Sequence, residues 1–138
     1  VEAVKSPPPS GPTLRVVALM RDEAPEDVGS LKPRIAIVNR GPGVLRWARV
    51  TWKFPVSPGP TPILDVYYAP QCALRLDRSG ALVAECSGLS VGPGQSWPST
   101  DGMSLAIHHP DWRAWQGKAA LGLNRQMVER PDIQVEAR

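Results

Sequence analysis

Proline is the feature that most narrows what this chain can fold into. Sixteen prolines and 12 glycines are spread over 138 residues, and such punctuation breaks helices while favouring short strands joined by turns. The prolines are densest at Pro7-Pro8-Pro9 with Pro12, and at Pro55-Val56-Ser57-Pro58-Gly59-Pro60-Thr61-Pro62. Polyproline extends without internal hydrogen bonds, so residues 1–13 read as a stiff linker and residues 14–138 as the domain. The second cluster reads as a long loop inside that domain. The length suits one domain with one core, and 42% apolar with 21% charged residues is a globular composition. The Val1 start and linker-like opening suggest a piece of a longer precursor.

Between the turn signals the pattern is that of strands. Leu14 to Met20 opens the series, and Lys32 to Asn39 alternates, with Arg34 and Ala36 on one side and Ile35 and Ile37 on the other. In Arg46 to Phe54, the residues Ala48, Val50, Trp52 and Phe54 share a face set for the core. Ile63 to Tyr68, Ala73 to Leu76, Ala81 to Glu85, Met103 to His108 and Gln134 to Glu136 are further strand candidates. One helical stretch is expected, Trp112 to Lys118, with Pro110 just before it. Short strands with regular turns predict an all-β, antiparallel sandwich.

Charge and motif content argue against several functions. The net charge is +3, and Arg15, Lys32, Arg34, Arg46, Arg49, Lys53, Arg75 and Arg78 are scattered among apolar residues rather than gathered into a patch. Nucleic-acid binders gather them, so no nucleic-acid partner is expected, and no apolar run is long enough to span a membrane. His108 and His109 are adjacent, which on a strand sends them to opposite faces. In Gly92-Pro93-Gly94 a proline replaces an amide that would cradle phosphate. No Gly-x-Ser-x-Gly elbow occurs. Asp65, Asp77, Asp101, Asp111 and Asp132 form no motif that sets two carboxylates across a cleft. No enzyme activity is expected.

Cys72 and Cys86 are the only cysteines. If Arg78-Ser79-Gly80 is a three-residue hairpin loop with Gly80 left-handed, counting outward sets Cys72 opposite Cys86. Opposed residues on antiparallel strands come close enough for a disulfide. The bridge would contribute roughly 3 kcal/mol on the chain-entropy model, and less if the hairpin persists in the unfolded chain. It would also imply an oxidising compartment. Two buried free thiols are the alternative. A zinc site needs about four ligands and the spacing is wrong.

Five tryptophans accompany a single phenylalanine. Trp52 belongs to the core face; Trp47 and Trp97 are undecided. Trp112 and Trp115 lie among Asp111, Arg113, Gln116 and Lys118, and three-residue spacing on a helix lets one be core while the other is exposed. Flat exposed aromatics stack on sugar rings; stapling the loop to the sandwich is the other use for such a pair.

Several stretches, taken in order, carry a likeness. These are Leu14-Arg15-Val16; Leu31-Lys32-Pro33-Arg34-Ile35-Ala36-Ile37-Val38-Asn39-Arg40-Gly41; Leu45 to Phe54; Leu89-Ser90-Val91-Gly92-Pro93-Gly94; and Asp111-Trp112. Together they resemble a family 3 carbohydrate-binding module, the cellulose-binding β-sandwich of cellulases and scaffolding subunits. The resemblance implies a jelly-roll-like sandwich of about nine strands. It also implies a planar strip that binds crystalline cellulose through a Trp, a Tyr, a His, an Asp and an Arg. Trp112 falls on the strip tryptophan, and Tyr67 and Tyr68 on its Asp-His pair. The arginine position is Ala106, and the loop for the strip tyrosine is replaced by Ala69-Pro70-Gln71.

The family's calcium ligands would fall near Pro55, Ser57, Gln116, Ala119 and Ala120, which bring no carboxylate, so no cofactor or metal is expected. The cysteine bridge would then brace that region. The resulting expectation is a secreted or cell-surface module, monomeric within a multidomain protein, that binds an insoluble polysaccharide such as cellulose. Trp112, Tyr68 and Tyr67 would stack on the sugars, and Asp111 or His109 would bond to hydroxyls. The alternative is a structural or protein-interaction module that kept the fold and lost the strip; an adhesin for another glycan would differ only in its ligand.

Overall fold

A computed structural model describes residues 14–54, 59–99 and 101–138. The linker expected at residues 1–13 and the loop positions Pro55 and Ser57 lie outside the described residues. Ten strands are present among those described: β1 (Val16–Asp22), β2 (Pro33–Asn39), β3 (Ala48–Lys53), β4 (Ile63–Tyr68), β5 (Cys72–Leu76), β6 (Ala81–Cys86), β7 (Ser96–Trp97), β8 (Met103–His108), β9 (Val128–Glu129) and β10 (Gln134–Ala137). One sheet runs β4-β8-β2-β1-β9, with β7 also on β2; the other runs β10-β3-β6-β5. All pairs are antiparallel.

The expected alternation builds the core. Ala18, Met20, Ile35, Ile37, Met103, Leu105 and Ile107 of the first sheet pack with Ala48, Val50, Trp52, Leu82, Ala84 and Cys86 of the second. Trp52 is fully buried, as its strand face predicts, and rests 5.2 Å from Phe54, which is 5.7 Å from Trp115. Asn39, fully buried, donates through Nδ2 to the Gly43 and Val91 carbonyls and accepts from the Gly41 amide. That side chain supplies the backbone partners the turn after β2 would otherwise lack. Gly102 has φ 82°, and a Cβ there would stand 2.6 Å from the Ile35 carbonyl, so close strand approach requires glycine.

The β5–β6 hairpin forms in the counted register, with Cys72 opposite Cys86 and a disulfide joining them. Gly80 is left-handed, and Asp77 Oδ1 accepts from the amides of Ser79 and Ala81. The Ser87 amide donates to the Gln71 carbonyl one step beyond the cysteines. The bridge therefore occupies a non-hydrogen-bonded pair, the closer of the two kinds.

The expectation of about nine strands is met by ten, of which the two-residue strands β7 and β9 carry too little pattern to be read in the sequence. One expectation is corrected. Residues 112–118 form no α-helix, and the only helical turn among the described residues is a 3-10 turn at Lys118–Leu121. Partners in the turn and across the sandwich take the backbone groups that a helix would use. The Trp112 amide donates to the His109 carbonyl, Asp111 Oδ1 accepts from the Arg113 amide, and the Trp115 amide donates across to Val28.

Candidate ligand-binding face

The outer face of the first sheet carries an aromatic surface at its β4 edge. On β8 the inward residues are Met103, Leu105 and Ile107, which sends Ser104, Ala106 and His108 outward. On β4, Ile63 pairs with His108, Asp65 with Ala106, and Tyr68 with Ser104. A bulge lies between Val66 and Tyr68, so Tyr67 is the extra residue and Tyr68 rather than Tyr67 stands opposite Ser104. Tyr67, Tyr68 and Trp112 are 67%, 50% and 60% exposed, far above the core aromatics.

Trp112 reaches this face through a tight turn. Its amide donates 3.0 Å to the His109 carbonyl, and its own φ is 59°, a left-handed conformation rare for a bulky residue. The turn folds the indole back over the end of β8, parallel to the His108 ring at 3.6 Å between centroids and 4° between planes. His108 is fixed in turn, with Nε2 3.1 Å from Asp65 Oδ2 and Nδ1 2.8 Å from the His109 carbonyl. Each ring nitrogen faces an acceptor, so the imidazole cannot swing without losing a partner. One indole face is covered and the other is open.

His108 and Ser104 are four residues apart, or about 13 Å along the strand, so Trp112 and Tyr68 lie toward opposite ends of β8. From Tyr68 a cross-strand row continues through Ser104, Arg34 and Arg21. Glu23 accepts from Arg34 Nε and the Ser104 hydroxyl, and Asp101 accepts from Arg21 and pairs with Arg34. The face thus pairs stacking surfaces with carboxylates and guanidiniums held in place by one another.

The residues picked out in the sequence divide. Trp112, Tyr68 and Tyr67 lie exposed along β4 and the turn beyond β8. Asp111 is exposed beside Trp112, and the Arg113 backbone amide, followed by the Arg113 charge, holds its carboxyl below the usual range. His109 is corrected: it is fully buried and stacks on Trp115 at 4.5 Å, out of reach of any ligand. Burial, then the nearby Arg113 charge, pushes its pKa below the ordinary histidine value. His108 and Asp65 were not singled out. The signal for them was the β8 alternation, which puts His108 on the outer face with Ser104 and Ala106. Of the undecided tryptophans, Trp97 lies in β7, and the Trp47 ring carries the Arg138 guanidinium 4.1 Å from its centroid.

Of the positions the resemblance gives to calcium, Gln116, Ala119 and Ala120 are described; they are exposed, and their side chains bring one amide and two methyl groups, where Ca²⁺ wants six or more oxygens. The inward-pointing residue of that turn is Lys118, which brings a positive charge. Among the described residues no group of three or more His, Cys, Asp or Glu could hold a metal ion. The disulfide belongs to the second sheet; the turn is tied instead to the loop after β1.

No family model matches the chain, and no curated protein matches its sequence. Solved structures do match. The CBM3b module of the cellulosomal cellobiohydrolase 9A from Clostridium thermocellum superposes with a TM-score of 0.69 at 14% identity, over 89% of this chain and 92% of that one. A unique CBM of Ruminiclostridium thermocellum gives 0.68 at 10% identity, over 89% and 93%. A biomass-sensing module from RsgI-like proteins of Clostridium thermocellum, described as resembling family 3, gives 0.66 at 11% identity, over 88% and 91%. At these identities the likeness is one of fold: the chain has the β-sandwich of the family 3 carbohydrate-binding modules.

Proposed function

We propose that this chain is a non-catalytic polysaccharide-binding module that adsorbs to cellulose through the outer face of its first sheet. The observation that carries the reading is Trp112, a bulky residue in a left-handed backbone whose ring is largely exposed and locked flat on His108. Strain of that kind persists where the surroundings over-determine it, and it clusters at ligand sites. Trp112 and Tyr68 stack on sugar rings toward opposite ends of β8, and Tyr67 lies next to Tyr68. Asp111, Asp65 and the Glu23–Arg34–Asp101 row accept from or donate to hydroxyls. The disulfide supports an extracellular setting, secreted or at the cell surface. No helix among the described residues is long and apolar enough to cross a membrane.

Adsorption isotherms on microcrystalline cellulose, with xylan and chitin as comparisons, test this. Trp112→Ala should abolish most of the binding while the melting temperature falls by only about 2–6 °C, the worth of the lost stack on His108. If Trp112→Ala adsorbs like the parent, the proposed face is wrong. A second reading is favoured by Ala106, buried where the resemblance places the strip arginine: a structural or protein-interaction module with this fold. Absence of adsorption to every polysaccharide tried would favour it.

A further inference from the structure

Lys118 is buried in a turn whose neighbours Gln116, Gly117, Ala119 and Ala120 are all exposed. Its ammonium donates to three backbone carbonyls of one loop: Ala24 at 3.1 Å, Ser30 at 2.8 Å, and Asp27. Three N–H groups meet three acceptors, the full donor capacity of the group. Asp22 Oδ2 lies 3.8 Å away on a fully buried carboxylate, whose oxygens also accept from the Ala24 and Lys32 amides. Oxygens from residues 22 to 30 thus surround a single positive charge. Carbonyls with a carboxylate are the set a loop presents to a hard cation, and here the cation arrives on a side chain.

We propose that Lys118 is the resident cation of this loop, a covalently attached charge that takes the place of an exchangeable ion. The loop is the one that backs the aromatic turn. The Trp115 amide donates 2.6 Å to the Val28 carbonyl, and a Cβ on Gly29 would sit 3.5 Å from the Trp112 carbonyl. Any effect on ligand binding rests on the proposed function above. The cation role does not, and its test reads no polysaccharide.

The parent protein should melt at the same temperature in EDTA and in calcium chloride. Lys118→Ala leaves the carbonyls and Asp22 without their charge, and should lower the melting temperature by roughly 10 °C. Ethylammonium chloride should recover part of that loss, and sodium chloride at equal concentration should not. A calcium-dependent rise in the parent, or no ethylammonium effect specific to the variant, overturns the proposal. Should Lys118→Ala not fold, acetylation of the native parent decides instead. Lys32 and Lys53 should react while Lys118 stays unmodified until the chain is unfolded; modification of Lys118 at the rate of Lys53 overturns the assignment.

Discussion

Removing the plate beneath Trp112 separates the indole's contribution from that of its support. His108→Ala deletes the parallel stack, which is worth about 0.5–1.5 kcal/mol, and one hydrogen bond at about 1 kcal/mol, since both ring nitrogens face acceptors and a neutral imidazole has one N–H to donate. The total of about 2 kcal/mol corresponds to a fall of roughly 7 °C in melting temperature for a domain of this size. Binding should weaken for a different reason. An indole free to move must be immobilised at about 0.5–1.5 kcal/mol, a loss of roughly 2- to 10-fold in affinity. His108→Phe keeps an aromatic plate and loses the polar contacts of the imidazole, so it should lower stability while holding most of the affinity. Depletion isotherms on cellulose with matched thermal melts read both quantities. If His108→Ala adsorbs as tightly as the parent while Trp112→Ala does not adsorb, His108 does not position the ring.

Other outcomes follow from the same contacts. His109 has a folded pKa below its ordinary 6.5 because it is buried, so below that value the unfolded chain binds the extra proton and the folded one resists it. Thermal stability should therefore be full above pH 6.5 and fall as the pH drops beneath it; His109→Phe should flatten that limb of the melting profile. Reducing the Cys72–Cys86 bridge, which spans 14 positions, should cost about 3 kcal/mol in denaturant titrations. Gly102→Ala should cost at least about 2 kcal/mol by the same assay, since its Cβ meets strand backbone. Tyr68→Ala should weaken cellulose adsorption more than Tyr67→Ala, because only Tyr68 stands in register with Ser104.

Where burial was two-sided or alternating, the strands were legible residue by residue. Ile63–Tyr68 and Met103–His108 have the bounds their patterns predict, and the hairpin count put Cys72 opposite Cys86 because turn type fixes register. What failed was the segment after β8. The helix expected over 112–118 rested on Pro110 as a helix start, but the Trp112 amide closes a local turn on His109 and the Trp115 amide finds Val28, which only the folded sandwich brings near. The site was half legible for the same reason. Exposed aromatics could be picked from a polar neighbourhood, whereas the His108–Asp65 contact joins residues 43 positions apart. His109 was misassigned because its neighbours in sequence are polar and its neighbours in space are Trp115 and the core.

The bulge at Tyr67 has a second consequence. Among the described residues β4 ends its sheet with one side of its backbone unpaired and with Ile63, Val66, Tyr67 and Tyr68 exposed, a combination that invites another chain to add a strand. The extra residue bends the strand out of register with any straight partner. Deleting Tyr67 would leave Tyr68 directly after Val66 and still opposite Ser104, while straightening the edge into a template for self-association. The extra residue thus bears on how this edge meets another chain rather than on which way Tyr68 points.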